Sequence, residues 1–162
     1  MSMLEQFFSI KYARMGGVFE GLSIWEQEKY RELQGTYPVI SLSFANVKES
    51  NCQDAKTRIC QIITKLYEQN RFLLDSGLLT KKEHDFFDSV QDGMPDVTAT
   101  ISIHNLCDYL CRFYGKKVIL LLDEYDTPMQ EAYINGFWDG IVAFMRNLFN
   151  STFKTNPWLE RG

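Results

Sequence analysis

The chain has 162 residues, of which 45% are hydrophobic and 14% aromatic; with ten glycines and four prolines it suits one folded domain and excludes disordered or collagen-like material. The formal net charge is −4, so the broad basic surface that binds nucleic-acid phosphates is not expected, and direct nucleic-acid binding is not indicated. The longest basic runs are the pairs Lys81-Lys82 and Lys116-Lys117. The four cysteines (Cys52, Cys60, Cys107, Cys111) form no C-x-x-C pair and the two histidines are His84 and His104, which disfavours a structural zinc site. Buried thiols in a reducing compartment are the expectation, with a Cys107–Cys111 metal or redox pair as the alternative, since residues four apart share a helix face. No basic region followed by a long apolar stretch opens the chain, and Val118 to Leu122 is too short to span a bilayer. A soluble cytoplasmic protein, without membrane contact, is expected.

The periodicity predicts a short helix over 3–9 with Leu4, Phe7 and Phe8 on one face, then a loop at Gly16-Gly17. A second helix is predicted from Ser23 to Leu33, ended by Gly35. Pro38 to Phe44 (PVISLSF) reads as a strand. Residues 53–74 read as a long amphipathic helix carrying Ile59, Ile62, Ile63, Leu66 and Tyr67. Thr80-Lys-Lys-Glu83 is a capping box opening a helix through Phe87. A turn at 92–95 precedes a helix over 99–113, closed by Gly115. Lys117 to Asp123 is the clearest strand, and its unbroken apolar run predicts burial on both faces. A last helix is predicted over 136–150.

Alternating elements of this kind predict an α/β fold with a parallel sheet flanked by helices. Two convincing strands are fewer than a sheet usually holds. No repeat or linker divides the chain, so 1–162 reads as a single domain.

The residues that carry chemistry are Val118-Ile-Leu-Leu-Leu-Asp-Glu124. An apolar strand ending in Asp-Glu is a Walker B pattern. The carboxyl ends of parallel strands open into the crevice where α/β proteins bind ligands. There Asp123 can hold Mg²⁺ through water, and Glu124 can orient and deprotonate an attacking water. The competing reading is an acidic pair leaving a sheet into solvent. Asp126 is either a third member of the site or the N-cap of the segment beginning Thr127-Pro128.

The phosphate-binding motif G-x-x-x-x-G-K-[ST] does not occur in this sequence; the one Lys-Thr pair, Lys56-Thr57, has no glycine at the right distance. Pro95-Asp96 is not followed by the Asp/Glu-x-Lys of a PD-(D/E)XK nuclease. Glu26, Glu28 and Glu32 read as a solvated helix face.

In order along the chain, Met3-Leu-Glu-Gln-Phe-Phe8, Phe19-Glu-Gly-Leu-Ser-Ile-Trp25, Tyr37-Pro-Val-Ile-Ser-Leu-Ser-Phe44, Leu121-Leu-Asp-Glu-Tyr-Asp-Thr-Pro128 and Asn156-Pro-Trp-Leu-Glu-Arg161 resemble the bacterial AAA-ATPase-like family. In that family an ATPase module is often followed by a PD-(D/E)XK nuclease-like domain. The resemblance implies a P-loop NTPase-like sheet, ATP and Mg²⁺ as ligands, Asp123 as the Mg²⁺ ligand and Glu124 as the water-activating base, with Asp126 in the same stretch. Family members carry the phosphate loop just before the helix at Met3 and continue past Arg161 into a further strand. The chain is therefore expected to be the central part of the module, truncated at both ends, with little or no ATPase activity by itself. A non-catalytic binding or assembly module is the alternative, either as a homo-oligomer or pairing through an exposed sheet edge.

Overall fold

The computed structural model describes residues 3–160. Helices α1 (Met3–Phe8), α2 (Ser23–Glu26) and α3 (Glu28–Arg31) precede strand β1 (Val39–Ser43); α4 (Cys52–Gln69), α5 (Lys81–Ser89) and α6 (Asp96–Tyr114) follow; then β2 (Ile119–Asp123), α7 (Thr127–Asn135) and α8 (Trp138–Phe153). The chain is thus α/β, mostly helical, around a two-stranded parallel sheet. Val39 pairs with Ile119, and the register runs to Ser43 opposite Asp123.

Alternation along a strand sends successive side chains to opposite faces. Ile40 and Leu42 therefore share a face with their partners Leu120 and Leu122, and this face packs on the core. Ile59, Ile63 and Leu66 of α4, Ile103, Leu106 and Leu110 of α6, and Ile141, Phe144, Met145 and Leu148 of α8 close it. Each such side chain contributes about 1.5–3 kcal/mol when fully buried. Tyr67, buried among them, donates its hydroxyl to the Ser102 carbonyl at 2.8 Å, which satisfies its polar tip.

The other face of the sheet carries Val39, Ser41, Ser43, Ile119, Leu121 and Asp123. It corrects the expectation that β2 is buried on both faces: all four of Ile119 to Leu122 are half-buried, with Leu120 and Leu122 packed against the core, and Ser41, Ser43 and Asp123 are exposed. A run of five apolar residues is needed here because Leu120 and Leu122 serve the core while Ile119 and Leu121 serve a face that the described residues only partly cover.

Beyond the ladder, Val118 donates to the Trp158 carbonyl (2.8 Å) and accepts from the Glu160 N–H (2.9 Å), forming a parallel bridge to Leu159. This bridge lies on the edge of β2 opposite β1. The Asn156–Arg161 stretch thus approaches the sheet, although Arg161 lies outside the described residues. A similar parallel bridge joins Ser9 to Tyr37 just before β1.

Residues 3–37 build a separate aromatic cluster. Phe7 meets Phe8 and Phe19 edge-on at 5.0 and 5.1 Å, Phe19 stacks on Trp25, and Phe8 meets Tyr37. Leu4, Phe7 and Phe8 share a face of α1 as expected, but burial along it is uneven, with Phe7 buried and Leu4 exposed. Gly35 closes this region with φ +64, and a Cβ there would lie 2.3 Å from Ala13 Cα, so only glycine fits.

Other boundaries differ from expectation for local reasons. The predicted helix 23–33 breaks at Gln27, whose backbone is extended (φ −100, ψ 115). The helix predicted to reach residue 74 ends at Gln69, because the buried Asn70 donates its side-chain amide to the Leu66 carbonyl; Arg71–Ser76 continues as a 3-10 turn. The capping box at Thr80 and Glu83 is present as expected, and Gly115 ends α6 in the left-handed region. Among the described residues no helix is long and apolar enough to cross a membrane.

Candidate functional site

Both strands point their carboxyl ends the same way, so Ser43 and Asp123 end the sheet together. The ladder extends one rung further, with the Phe44 N–H donating to the Asp123 carbonyl at 3.0 Å. This fixes the backbone on which the Asp123 side chain stands. Asp123 projects onto the uncovered face, where Ser43 Oγ donates to its Oδ2 at 3.4 Å. The groove on that face has a volume of about 650 Å³ and is bordered by Leu4, Ser41, Ser43, Leu121 and Asp123.

Immediately after β2 the chain turns. Glu124 has φ +48, a left-handed conformation that non-glycine residues rarely adopt. Its carbonyl accepts from the Thr127 N–H at 3.1 Å, and its Oε2 accepts from Thr127 Oγ1 at 3.2 Å. Tyr125 is exposed and lies edge-on to Phe149. Asp126 takes the N-cap position of α7 but makes no capping bond with its side chain; its Oδ2 accepts from Gln130 Nε2 at 2.7 Å instead. The segment beginning Thr127-Pro128 is the start of α7, with Pro128 in the first turn, where a missing N–H costs nothing.

The three acidic residues singled out from sequence thus occupy one turn, but their carboxylates have three different partners: Ser43, Thr127 and Gln130. Among the described residues no group of three His, Cys, Asp or Glu side chains converges on a common point. The donor chemistry still suits Mg²⁺. Asp123 offers exposed carboxylate oxygens beside a hydroxyl, and Mg²⁺ characteristically keeps several waters and takes only one or two carboxylates. Sequence reasoning missed Ser43 and Thr127. The alternation Ile-Ser-Leu-Ser over residues 40–43 is the signal that places Ser43 opposite the core face. Nothing local marks Thr127.

A second groove of the same volume lies near the start of β2, by Lys117, Thr155, Asn156 and Glu160. It includes none of these carboxylates and is lined by one basic and one acidic residue, Lys117 and Glu160.

The chain matches no curated protein and no solved structure. The model of the AAA-ATPase-like family, described as predicted AAA-ATPases, matches residues 1–162, and the chain belongs to that family.

Proposed function

We propose that this chain is the cation- and water-handling part of an ATP-hydrolysing module with a P-loop NTPase-like sheet, forming a single domain. The observation that carries the reading is the placement of Asp123 and Glu124 at the carboxyl end of a parallel apolar strand, with Asp123 open to solvent beside Ser43. In this reading Asp123 would hold Mg²⁺ through water, and the ion would supply charge compensation for a triphosphate. Glu124 accepts a proton from a water held at its carboxylate while that water's oxygen bonds to the terminal phosphorus and the bridging P–O bond to ADP breaks. Asp126, whose Oδ2 is engaged by Gln130, would be an accessory acidic residue of the site.

The sequence offers no lysine-bearing phosphate loop, and two carboxylates facing a triphosphate repel it unless a cation intervenes. Activity by this chain alone is therefore low or absent, and nucleotide binding depends on Mg²⁺. A titration with a fluorescent ATP analogue, with and without Mg²⁺, tests this. The expected result is millimolar-range binding with Mg²⁺, none without it, and loss in Asp123→Ala. Submicromolar binding, binding that ignores Asp123, or no binding with Mg²⁺ present would overturn the reading.

A second reading, an assembly module, is favoured by the far edge of β2. Beyond the Val118–Leu159 bridge, that edge has no strand partner among the described residues. Self-association at micromolar concentration in sedimentation would support it, and a monomer throughout would remove it.

A further inference from the structure

We propose that Thr127 is the positioning residue for Glu124, holding the carboxylate of the water-handling group in one orientation. The proposal rests on the reading of Glu124 as the base. Strand alternation would carry residue 124 to the core face with Leu120 and Leu122. The left-handed backbone at Glu124 (φ +48) diverts it, and its side chain stays exposed. That conformation is unfavourable for a residue with a Cβ, so something must compensate for it. Thr127 does so twice, donating its N–H to the Glu124 carbonyl (3.1 Å) and its hydroxyl to Glu124 Oε2 (3.2 Å).

The donor itself is well fixed. Thr127 is 9% exposed, is β-branched, and is followed by the buried Pro128. β-Branching narrows the rotamers open to Thr127 at the start of α7, and the one it adopts turns its hydroxyl to Glu124. It engages only Oε2, which leaves Oε1 the oxygen able to accept a proton from water. A neutral donor orients the carboxylate without neutralising it, as a lysine or arginine there would. The neighbouring acids are held differently, Asp123 by Ser43 and Asp126 by Gln130, so the tether is specific to Glu124.

The test is nuclear magnetic resonance on the intact chain with Thr127→Val, Thr127→Ser and Glu124→Ala. In the wild type a strong intraresidue HN–Hα cross-peak marks the left-handed Glu124, and its side-chain couplings report a single rotamer. Thr127→Val, which keeps the branch and removes the hydroxyl, is expected to average the couplings and move the Glu124 carboxyl carbon resonance; Thr127→Ser is expected to restore both. Glu124→Ala reads the same contact from the other side, releasing the Thr127 rotamer even if Thr127→Val fails to fold. Unchanged Glu124 couplings in a folded Thr127→Val, or an unchanged Thr127 rotamer in Glu124→Ala, would overturn the proposal. A merely structural role lowers thermal stability without moving the Glu124 carboxyl signal. Titrating the wild type with Mg²⁺ and a non-hydrolysable ATP analogue separates the two claims. Silence of the Asp123 and Glu124 signals sinks the ATP reading, whereas the tether between Thr127 and Glu124 stands or falls with the variants alone.

Discussion

Ser43 and Asp123 face each other across the last rung of the parallel pair, the serine hydroxyl donating to Oδ2 over 3.4 Å. That is long for a hydroxyl–carboxylate bond, which is 2.5–2.7 Å when strong, and both residues are exposed. The contact orients the carboxylate more than it holds the sheet together. Asp123→Ala and Ser43→Ala are each expected to change stability by no more than about 0.5 kcal/mol, or roughly 1–2 °C in melting temperature for a chain of this size. Thermal unfolding followed by circular dichroism checks this. A drop of many degrees in Asp123→Ala would mark Asp123 as a structural residue and disqualify that variant as a probe of ligand binding.

The positive φ at Glu124 gives a second expectation. Elsewhere in an ordered element glycine is less stable than alanine, but in the left-handed region the order reverses, because only glycine enters it without a Cβ clash. Both Glu124→Gly and Glu124→Ala lose the side-chain contact with the Thr127 hydroxyl and keep the backbone one. Glu124→Gly is therefore expected to be more stable than Glu124→Ala by about 1 kcal/mol or more, read from urea unfolding midpoints. Alanine matching or exceeding glycine would show that the turn relaxes out of the left-handed region at little cost.

What could be read from sequence was whatever is encoded locally. The apolar strand ending in Asp123-Glu124, the Thr80–Glu83 box and the long stripes of α6 and α8 each need only a window of a few residues. One miss needed a distant partner, and the others turned on local features that hydrophobic period does not show. The pairing of Ser43 with Asp123 spans 80 residues, and no local pattern reveals which face of a five-residue apolar strand is covered. The end of α4 at Asn70 depends on a side-chain bond that competes with the helix. Helix α7 buries only Thr127, Pro128 and Ala132, too few apolar positions to show a helical period, so its first turn reads as a proline turn.

The capping box at the start of α5 doubles as an ion-pair site. Glu83 Oε2 accepts from the Thr80 N–H (2.7 Å) and hydroxyl (2.8 Å), while its Oε1 accepts from Arg112 of α6 at 2.6 Å. Desolvation alone would raise the carboxyl's pKa; the Thr80 bonds and the Arg112 charge outweigh it and hold it below the usual carboxylate value. A pKa lower in the folded than in the unfolded chain means that the contribution is complete above the unfolded value, about 4.3. It is lost as pH falls through that value towards the folded one. Glu83→Gln is thus expected to melt below wild type at pH 7, with the gap closing as pH is lowered past 4. Thr80→Ala is expected to cost about 1 kcal/mol. A gap between Glu83→Gln and wild type that stays constant down to pH 3 would mean the charge on Glu83 contributes nothing.

The cysteines give a test of the core that is independent of the candidate site. Cys60 and Cys107 are 3% and 0% exposed, and Cys52 and Cys111 are half-buried. Burial pushes the Cys60 thiol up to about 11, with Asp96 and Asp92 adding to it, and the Cys107 thiol up to about 12 despite a bond from Asn156. Burial also raises Cys111. Only the thiolate attacks a disulfide reagent, so at pH 8 a thiol with a pKa near 11 is ionised at a fraction of roughly 10⁻³, against about a quarter for an ordinary cysteine. Access compounds this, because Cys107 is fully buried and a reagent reaches it only when the core around α6 opens. Labelling of the native chain followed by mass spectrometry is expected to modify Cys52 first and Cys111 more slowly. Cys60 and Cys107 are expected to react at the rate of global opening, which denaturant accelerates and a Cys52→Ser substitution leaves unchanged. Labelling of Cys107 as fast as Cys52 in the native chain would mean that the core around α6 opens locally, and that the packing closing the inner face of the sheet is looser than its burial implies.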